Sequence, residues 1–318
     1  MLRRAAARLP IADEQRTSHT GSPIWGQGCL ARERSRVTVA VMADDGATRA
    51  LNDVLRRLNV AREDELCFTA EAEGSTRPRL FGGTVVGQAI VAASRCAPEF
   101  ELHSLHAYFL QPGDPALPVR YVVSPLKQGK NFQAWQVLGW QADRIIVSLQ
   151  ASFQRDAAGI EHGDKMPEAP APSLLTDQSL AYWGGDGPIQ LRDCDAGNLA
   201  AAAARGMRRV WMRPSASLPD DPILHRALFV FASDMTLVRT GILEHPEFHG
   251  KRWGASLDHA LWLHRVPRFD DWHLYVMHSP AAHSGRPLIL GALYRRDGTR
   301  VLSTAQEGLF RAPAQGSS

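Results

Sequence analysis

No apolar stretch in this sequence is long enough to cross a bilayer. Val85 to Ala93 and Leu228 to Ala232 stop well short of the ~18 residues a membrane helix requires. Cysteine is scarce and scattered: Cys29, Cys67, Cys96 and Cys194 form no Cys-x-x-Cys pair and no repeating interval. That argues against a zinc site or a disulfide framework and fits reduced thiols in a cytoplasmic protein. No charged-then-apolar leader opens the chain, and its last residues, Ala-Gln-Gly-Ser-Ser, are not a peroxisomal Ser-Lys-Leu address. A Gly-x-Ser-x-Gly elbow is missing, so an α/β serine hydrolase lacks its local signature. The cysteines sit in no motif that marks a nucleophile.

A consistent excess of one charge is missing too. The formal net charge of +3 comes from residues 1–42, where seven Arg face three acidic residues; the rest of the chain holds 29 basic against 30 acidic residues. A neutral body removes the main support for a nucleic-acid partner. What is present is ordinary globular material: 318 residues, 44% hydrophobic and 22% charged, enough for one large or two medium domains.

Residues 1–42 show no sustained helical or strand period and read as a disordered or non-native extension, as a leader ahead of a true start at Met42, or as an Arg-rich organelle transit peptide. The first convincing helix begins near Asp45 and places Leu51, Val54, Leu55 and Leu58 on one face. Beyond it the chain repeats itself. His106-Ala107-Tyr108-Phe109-Leu110 returns 153 residues later as His259-Ala260-Leu261-Trp262-Leu263. Gly82-Gly83 at a helix start is echoed by Ser233-Asp234, and Ser152-Phe153-Gln154 by Leu309-Phe310-Arg311.

In the first half Gly83, Gly87 and Val91 form a small-residue stripe along a helix over residues 84–95, which lets that helix approach a sheet closely. Period-2 runs follow, divided by Pro112-Gly113-Asp114 and by Gln128-Gly129-Lys130-Asn131, and read as antiparallel strands with turns. The second half repeats the pattern with a helix through Leu228, Phe231, Met235 and Val238 and strands near 256–264, 274–278, 288–295 and 301–311. The pattern predicts an α+β fold of two tandem repeats, each a helix wrapped by a curved antiparallel sheet. The repeats span 43–155 and 189–312, with a Pro- and Gly-rich linker at 156–188 and a disordered tail at 313–318.

A helix gripped by a curved sheet, twice in one chain, looks like a double hotdog. Arg79-Leu80-Phe81-Gly82-Gly83-Thr84-Val85-Val86-Gly87-Gln88-Ala89, His106 to Asp114 and Ala151-Ser152-Phe153-Gln154 resemble the first half of the type II acyl-CoA thioesterases, the TesB-like family. Ala232-Ser233-Asp234, Leu257 to Arg265 and Gln306-Glu307-Gly308 resemble its second half, so the likeness runs in order from about residue 48 to 311. The resemblance implies hydrolysis of a fatty acyl-CoA to free acid and coenzyme A by activated water, with no cofactor, metal or covalent intermediate. It implies homodimers or homotetramers as well, and by motif position Asp234, Ser256 and Gln306 as the residues that hold the attacking water.

The chemistry suits that set. Water attacking a thioester carbon needs a carboxylate to take its proton and polar partners to aim its lone pair. Ser256 departs from the family's Thr, keeping the hydroxyl and losing a methyl that restrains the rotamer. Gly82 and Gly83, at a helix start, offer backbone N–H groups to a thioester oxygen, or else only permit close packing.

Each of these residues also has a plainer reading. Asp234 alone is a buried structural carboxylate, Ser256 a strand serine, and Gln306 part of a solvated strand face. His106 and His259, at matching places in the repeats, read as sheet residues rather than catalysts. His245 and His249 have metal-helix spacing, but Pro246 between them disrupts the helix. Trp183 to Pro188 is a turn, not a phosphate loop. Two rival functions stay open at this level. Asp220 and His225 have the interval of a double-hotdog enoyl-CoA hydratase, although Pro222-Ile223 stands where that pattern has Asn-Pro. A non-catalytic acyl-CoA-binding hotdog protein is the other.

Overall fold

The computed structural model describes residues 46–310 apart from 184, 250–253 and 266–267, so the amino-terminal extension and the carboxy-terminal tail lie outside the described residues. The first repeat runs α1 (Gly46–Leu58), β1 (Ala61–Arg62), β2 (Cys67–Ala70), α2 (Gly82–Cys96), β3 (Glu101–Phe109), β4 (Val119–Gln128), β5 (Phe132–Gln141) and β6 (Arg144–Gln154). The second runs α3 (Ser179–Trp183), β7 (Ile189–Asp193), α4 (Leu199–Ala204), β8 (Arg208–Pro214), α5 (Pro222–Ser233), α6 (Leu237–Thr240), β9 (Gly254–Ser256), β10 (Asp258–Leu263), β11 (His273–His283), β12 (Arg286–Arg295) and β13 (Arg300–Phe310).

The strands join into one antiparallel sheet in the order β1-β2-β4-β5-β6-β3-β10-β13-β12-β11-β8-β7, with β9 also on β13. Its middle seam is β3 against β10, where Ala107 stands opposite His259 and His106 opposite Ala260. Each repeat curls its half of the sheet around a helix. Residues 83–94 of α2 and 224–233 of α5 are all buried, as expected of helices enclosed on every side. α1 covers the open flank through Leu51, Leu55 and Leu58, an i, i+4, i+7 stripe, with Val54 at its edge.

α5 starts sharply. Pro222 occupies its first turn, and the Asp221 carboxylate accepts the N–H groups of Ile223 and Leu224 at 2.8 and 3.2 Å. It runs antiparallel to α2 at close quarters: a Cβ on Gly83 would lie 2.5 Å from the Phe231 carbonyl oxygen, and one on Gly87 would lie 3.2 Å from that of Ala227. The small-residue stripe therefore faces the second helix and not the sheet. For the same reason Gly82-Gly83 and Ser233-Asp234 are not copies of one feature. They are the start of one helix and the end of the other, brought into contact.

The equivalence of His106 and His259 also fails. His259 is fully buried on the helix side of the sheet, while His106 is exposed on the outer face, edge-on to Trp262. In the β3–β10 pair His259 stands opposite Ala107 and His106 opposite Ala260, and cross-strand partners share a face, so the register puts the two histidines on opposite faces. The segment before β7 is not a free tether: Pro170 and Glu168 carbonyls accept from Trp211 and Arg209 of β8, and Asp164 pairs with Arg300 of β13. The β7–β8 pair and α4, which precede α5, have no counterpart in the sequence expectations.

Candidate active site

The start of α2 and the end of α5 meet over β10 and β13, and a group of buried polar side chains, Ser233, Asp234, His259 and Gln306 among them, converges there. Asp234 caps the carboxyl end of α5, a place where its own helix dipole disfavours an anion. The compensation comes from α2: the N–H of Gly83 donates to Asp234 Oδ2 at 2.8 Å, and the positive end of that helix faces the carboxylate. Asp234 Oδ1 accepts from Gln306 Nε2 at 2.6 Å. Asp234 is 7% exposed and Gln306 1%. Gly82 is glycine because a Cβ there would fall 2.8 Å from both Asp234 Oδ2 and Phe109 Cζ.

β13 positions Gln306 with its neighbours Thr304 and Gly308 on the helix side. The strand opposite is not regular. Ser256 pairs with Gly308 and Ala260 with Ala305, so four steps on one strand match three on the other. This one-residue bulge at Leu257-Asp258 is pinned by Asp258 Oδ1, which accepts the Glu307 N–H at 2.6 Å, and by the Leu257 N–H donating to the Glu307 carbonyl at 2.9 Å. Ser256 and His259 are three residues apart and would face opposite ways on an even strand. The bulge turns both to the helix side, with His259 against Gln306 and Ser256 across from Gly308.

His259 contacts Gln306 Nε2 through Nδ1 at 3.3 Å and Ser233 Oγ through Nε2 at 2.9 Å. Ser233 Oγ donates to the Val230 carbonyl at 2.8 Å. Burial pushes the His259 imidazole below its ordinary value, while the carboxylates of Asp234 and Asp258 pull it up. Tyr275, whose hydroxyl donates to the Ser233 carbonyl at 2.9 Å and meets Thr304 Oγ1 at 2.8 Å, is raised well above its usual range by burial. The Tyr182 phenol is pushed up to about 12, by burial first and then by the Asp234 carboxylate.

Directly after Asp234 the chain strains. Thr236 has φ 71° and ψ −21°, left-handed backbone that a β-branched residue rarely adopts. Its carbonyl is held by Arg208 Nη1 at 3.3 Å, and Arg208 is locked by Asp193 Oδ2 at 3.0 and 2.9 Å in a buried ion pair. Thr236, Arg208, Tyr182 and the role of His259 were not found in the sequence. Only His259 carried a signal, its place beside Ser256 in the Leu257-Asp258-His259 run.

Asp234 and Gln306 are thus brought into contact by α5 and β13, while β9 places Ser256 opposite Gly308, two residues along β13 from Gln306. The two glycines divide. The Gly83 amide is taken by Asp234 and is not open to a substrate oxygen, whereas Gly82 begins α2, where amides lack intrahelical partners. Asp220 and His225 sit at the far end of α5 on separate duties: Asp220 is exposed and paired with Arg268, and His225 accepts the Phe269 N–H through Nδ1 at 3.1 Å. His245 and His249 flank a single 3₁₀ turn over Pro246–Phe248.

Comparison with known proteins decides the family. An acyl-CoA thioesterase model matches residues 197–309, and an acyl-CoA thioesterase N-terminal domain model matches residues 71–154. Acyl-CoA thioesterase 2 of Haemophilus influenzae is 32% identical over 279 residues, 82% of this chain and 98% of that one. The chain belongs to the acyl-CoA thioesterase family. The tesB protein of Mycobacterium avium subs paratuberculosis superposes with a TM-score of 0.74 at 30% identity, covering 83% of this chain and 100% of that one. A hot dog fold protein from Alicyclobacillus acidocaldarius reaches 0.69 at 16% identity, covering 82% and 98%, and carries the fold alone. The double hotdog is the frame of this chain. No helix among the described residues is long and apolar enough to cross a membrane.

Proposed function

We propose that this chain hydrolyses fatty acyl-CoA thioesters to free acid and coenzyme A, with Asp234, Gln306 and Ser256 holding the attacking water. The observation that carries the reading is the polarity left at Gln306: its Nε2 donates to Asp234, and its buried Oε1 has no partner among the described residues. A water that donates one hydrogen to Asp234 and the other to Gln306 Oε1 presents a lone pair to the thioester carbon. Asp234 takes a proton as the C–O bond forms, and the tetrahedral intermediate places its negative charge on the former carbonyl oxygen. The Gly82 amide is the donor nearest in kind to an oxyanion partner. Collapse breaks the C–S bond, and the proton held by Asp234 passes to the leaving thiolate.

No covalent enzyme intermediate is needed, and no cofactor enters the steps. The family resemblance carries with it a cytoplasmic homodimer or homotetramer, checked by light scattering coupled to size exclusion. The deciding experiment is release of free coenzyme A from short, medium and long acyl-CoAs, with Asp234→Asn beside the wild type. Turnover that depends on Asp234 supports the reading. Tight acyl-CoA binding without release makes the protein a binder, and release untouched by Asp234→Asn removes Asp234 from the mechanism.

A further inference from the structure

The attacking water in the scheme above depends on Gln306 presenting oxygen and not nitrogen to the site. An amide can turn over, so something must fix it. Asp234 supplies half of the answer, because a carboxylate only accepts and therefore faces Nε2. Nε2 carries a second hydrogen, and the atom that faces it, 3.3 Å away, is His259 Nδ1.

The hydrogen bonds around His259 admit one tautomer. Ser233 gives its single hydroxyl hydrogen to the Val230 carbonyl, so toward His259 it accepts, and His259 Nε2 must carry the proton. Nδ1 is then bare and accepts from Gln306. With the proton on Nδ1 instead, two donors would oppose each other at Gln306 and two acceptors would compete for the Ser233 hydrogen. The geometry points to His259 as a positioning residue whose bare Nδ1, together with Asp234, locks the Gln306 amide with Oε1 toward the water. This inference rests on the thioesterase reading for its catalytic consequence but not for the tautomer.

The titratable groups around the ring are Asp234 at the end of α5, Asp258 on its own strand, and Tyr275 of β11, linked through the Ser233 carbonyl, while Ser233 and Gln306 are its neutral hydrogen-bond partners. Only the two carboxylates favour a charged ring, and burial outweighs them. The ring therefore stays neutral at neutral pH. Acid that protonates Nδ1 would turn the acceptor into a donor and release the amide.

The test pairs two variants of similar size. His259→Asn keeps an acceptor oxygen close to the Nδ1 position, and His259→Leu keeps none. His259→Leu is expected to lower kcat by about 10- to 100-fold with little change in KM, the scale of a misplaced reacting group, and His259→Asn to recover most of that loss. In a Gln306→Ala background the two variants are expected to agree within about twofold, since there is no amide left to orient. Equal losses in both variants, or a Leu-to-Asn difference that survives Gln306→Ala, would overturn the proposal. The ¹⁵N shifts of His259 in the unliganded wild type give a readout free of activity: a protonated Nε2 and bare Nδ1 are expected, and a protonated Nδ1 sinks the idea even if hydrolysis is intact. Conversely, no release of coenzyme A by the wild type defeats the thioesterase reading and leaves the tautomer result standing.

Discussion

The two ends of the α2–α5 pair are built alike and equipped differently. At each end the start of one helix meets the finish of the other beneath the central strands. One end gathers Asp234, Gln306 and His259 into a buried network closed by the Gly83 amide. The other end holds an ion pair between buried Arg226 and half-exposed Glu101, and a His225 whose Nδ1 is used up on the Phe269 N–H. Pseudosymmetry supplies two junctions, and the one with the bulge at Leu257-Asp258 and the strained Thr236 is the one where a buried carboxylate meets a buried side-chain amide. The site is made by the departures from symmetry.

One substitution made at both ends of α5 tests this most directly. Asp234→Asn is expected to lower kcat for acyl-CoA hydrolysis by about 100-fold or more, because the amide takes no proton from water. Asp221→Asn at the helix start should leave stability and turnover near wild type, since Asn caps a helix as well as Asp does and Oδ1 can still accept the Ile223 and Leu224 amides. Steady-state kinetics and chemical denaturation of both variants read the contrast. Comparable losses at the two ends would mean that the helix and not its carboxyl terminus matters.

The helix contact gives the next contrast. Gly83→Ala drives a Cβ to 2.5 Å from both the Phe231 carbonyl oxygen and the Phe81 ring, so the helices must part at the point where Gly83 holds Asp234. A stability loss of about 1–3 kcal/mol or more is expected, with a fall in kcat. Gly87→Ala meets the Leu58 methyl at 2.7 Å and the Ala227 oxygen at 3.2 Å, and a side-chain tip can move where backbone cannot. Its cost should be smaller and its kcat close to wild type. Urea unfolding and initial rates on the same preparations separate the two.

These contacts also mark where the sequence stopped being informative. The α1 stripe, the strand alternation and the Gly-x-x-x-Gly of α2 were legible because each is a periodicity, and periodicity is what local sequence encodes. What the stripe packs against was not, since a small-residue face suits a sheet or a helix equally. The His106 and His259 match misled for a related reason: five similar residues recur, but the face each takes is set by the β3–β10 register, which puts Ala107 and not His106 opposite His259 and leaves no mark in composition. Asp234, Ser256 and Gln306 came from family likeness rather than from pattern. Thr236 and the Arg208–Asp193 pair left no trace, because a left-handed threonine and a buried ion pair exist only once the chain has closed around them.

Histidine burial predicts how the second repeat responds to acid. His273 is 2% exposed, and burial lowers it to about 4 from an ordinary 6.5. A folded value below the unfolded one means that, as pH falls through that window, the unfolded chain binds a proton the folded chain refuses. Stability therefore drops between pH 6.5 and 4, by on the order of 3 kcal/mol for a shift of this size, and levels off below. His259 acts in the same direction. His273→Phe should flatten this part of the curve, as read by thermal unfolding across that pH range. An unchanged slope would place the acid sensitivity elsewhere.

The smallest effect is expected at Ser256, where the family resemblance implies a threonine. Threonine there would restore the methyl that restrains χ1 and hold the hydroxyl more steadily beside Gln306. The residue opposite is Gly308, which presents no side chain. Ser256→Thr should keep KM and leave kcat unchanged or raise it up to about threefold, since on the proposed reading the hydroxyl is kept and gains only rotamer order. Ser256→Ala provides the scale, as it removes the hydroxyl from the same backbone. If Ser256→Thr loses as much as Ser256→Ala, the added methyl occupies space the substrate needs, and Ser256 belongs to the acyl channel rather than to the water.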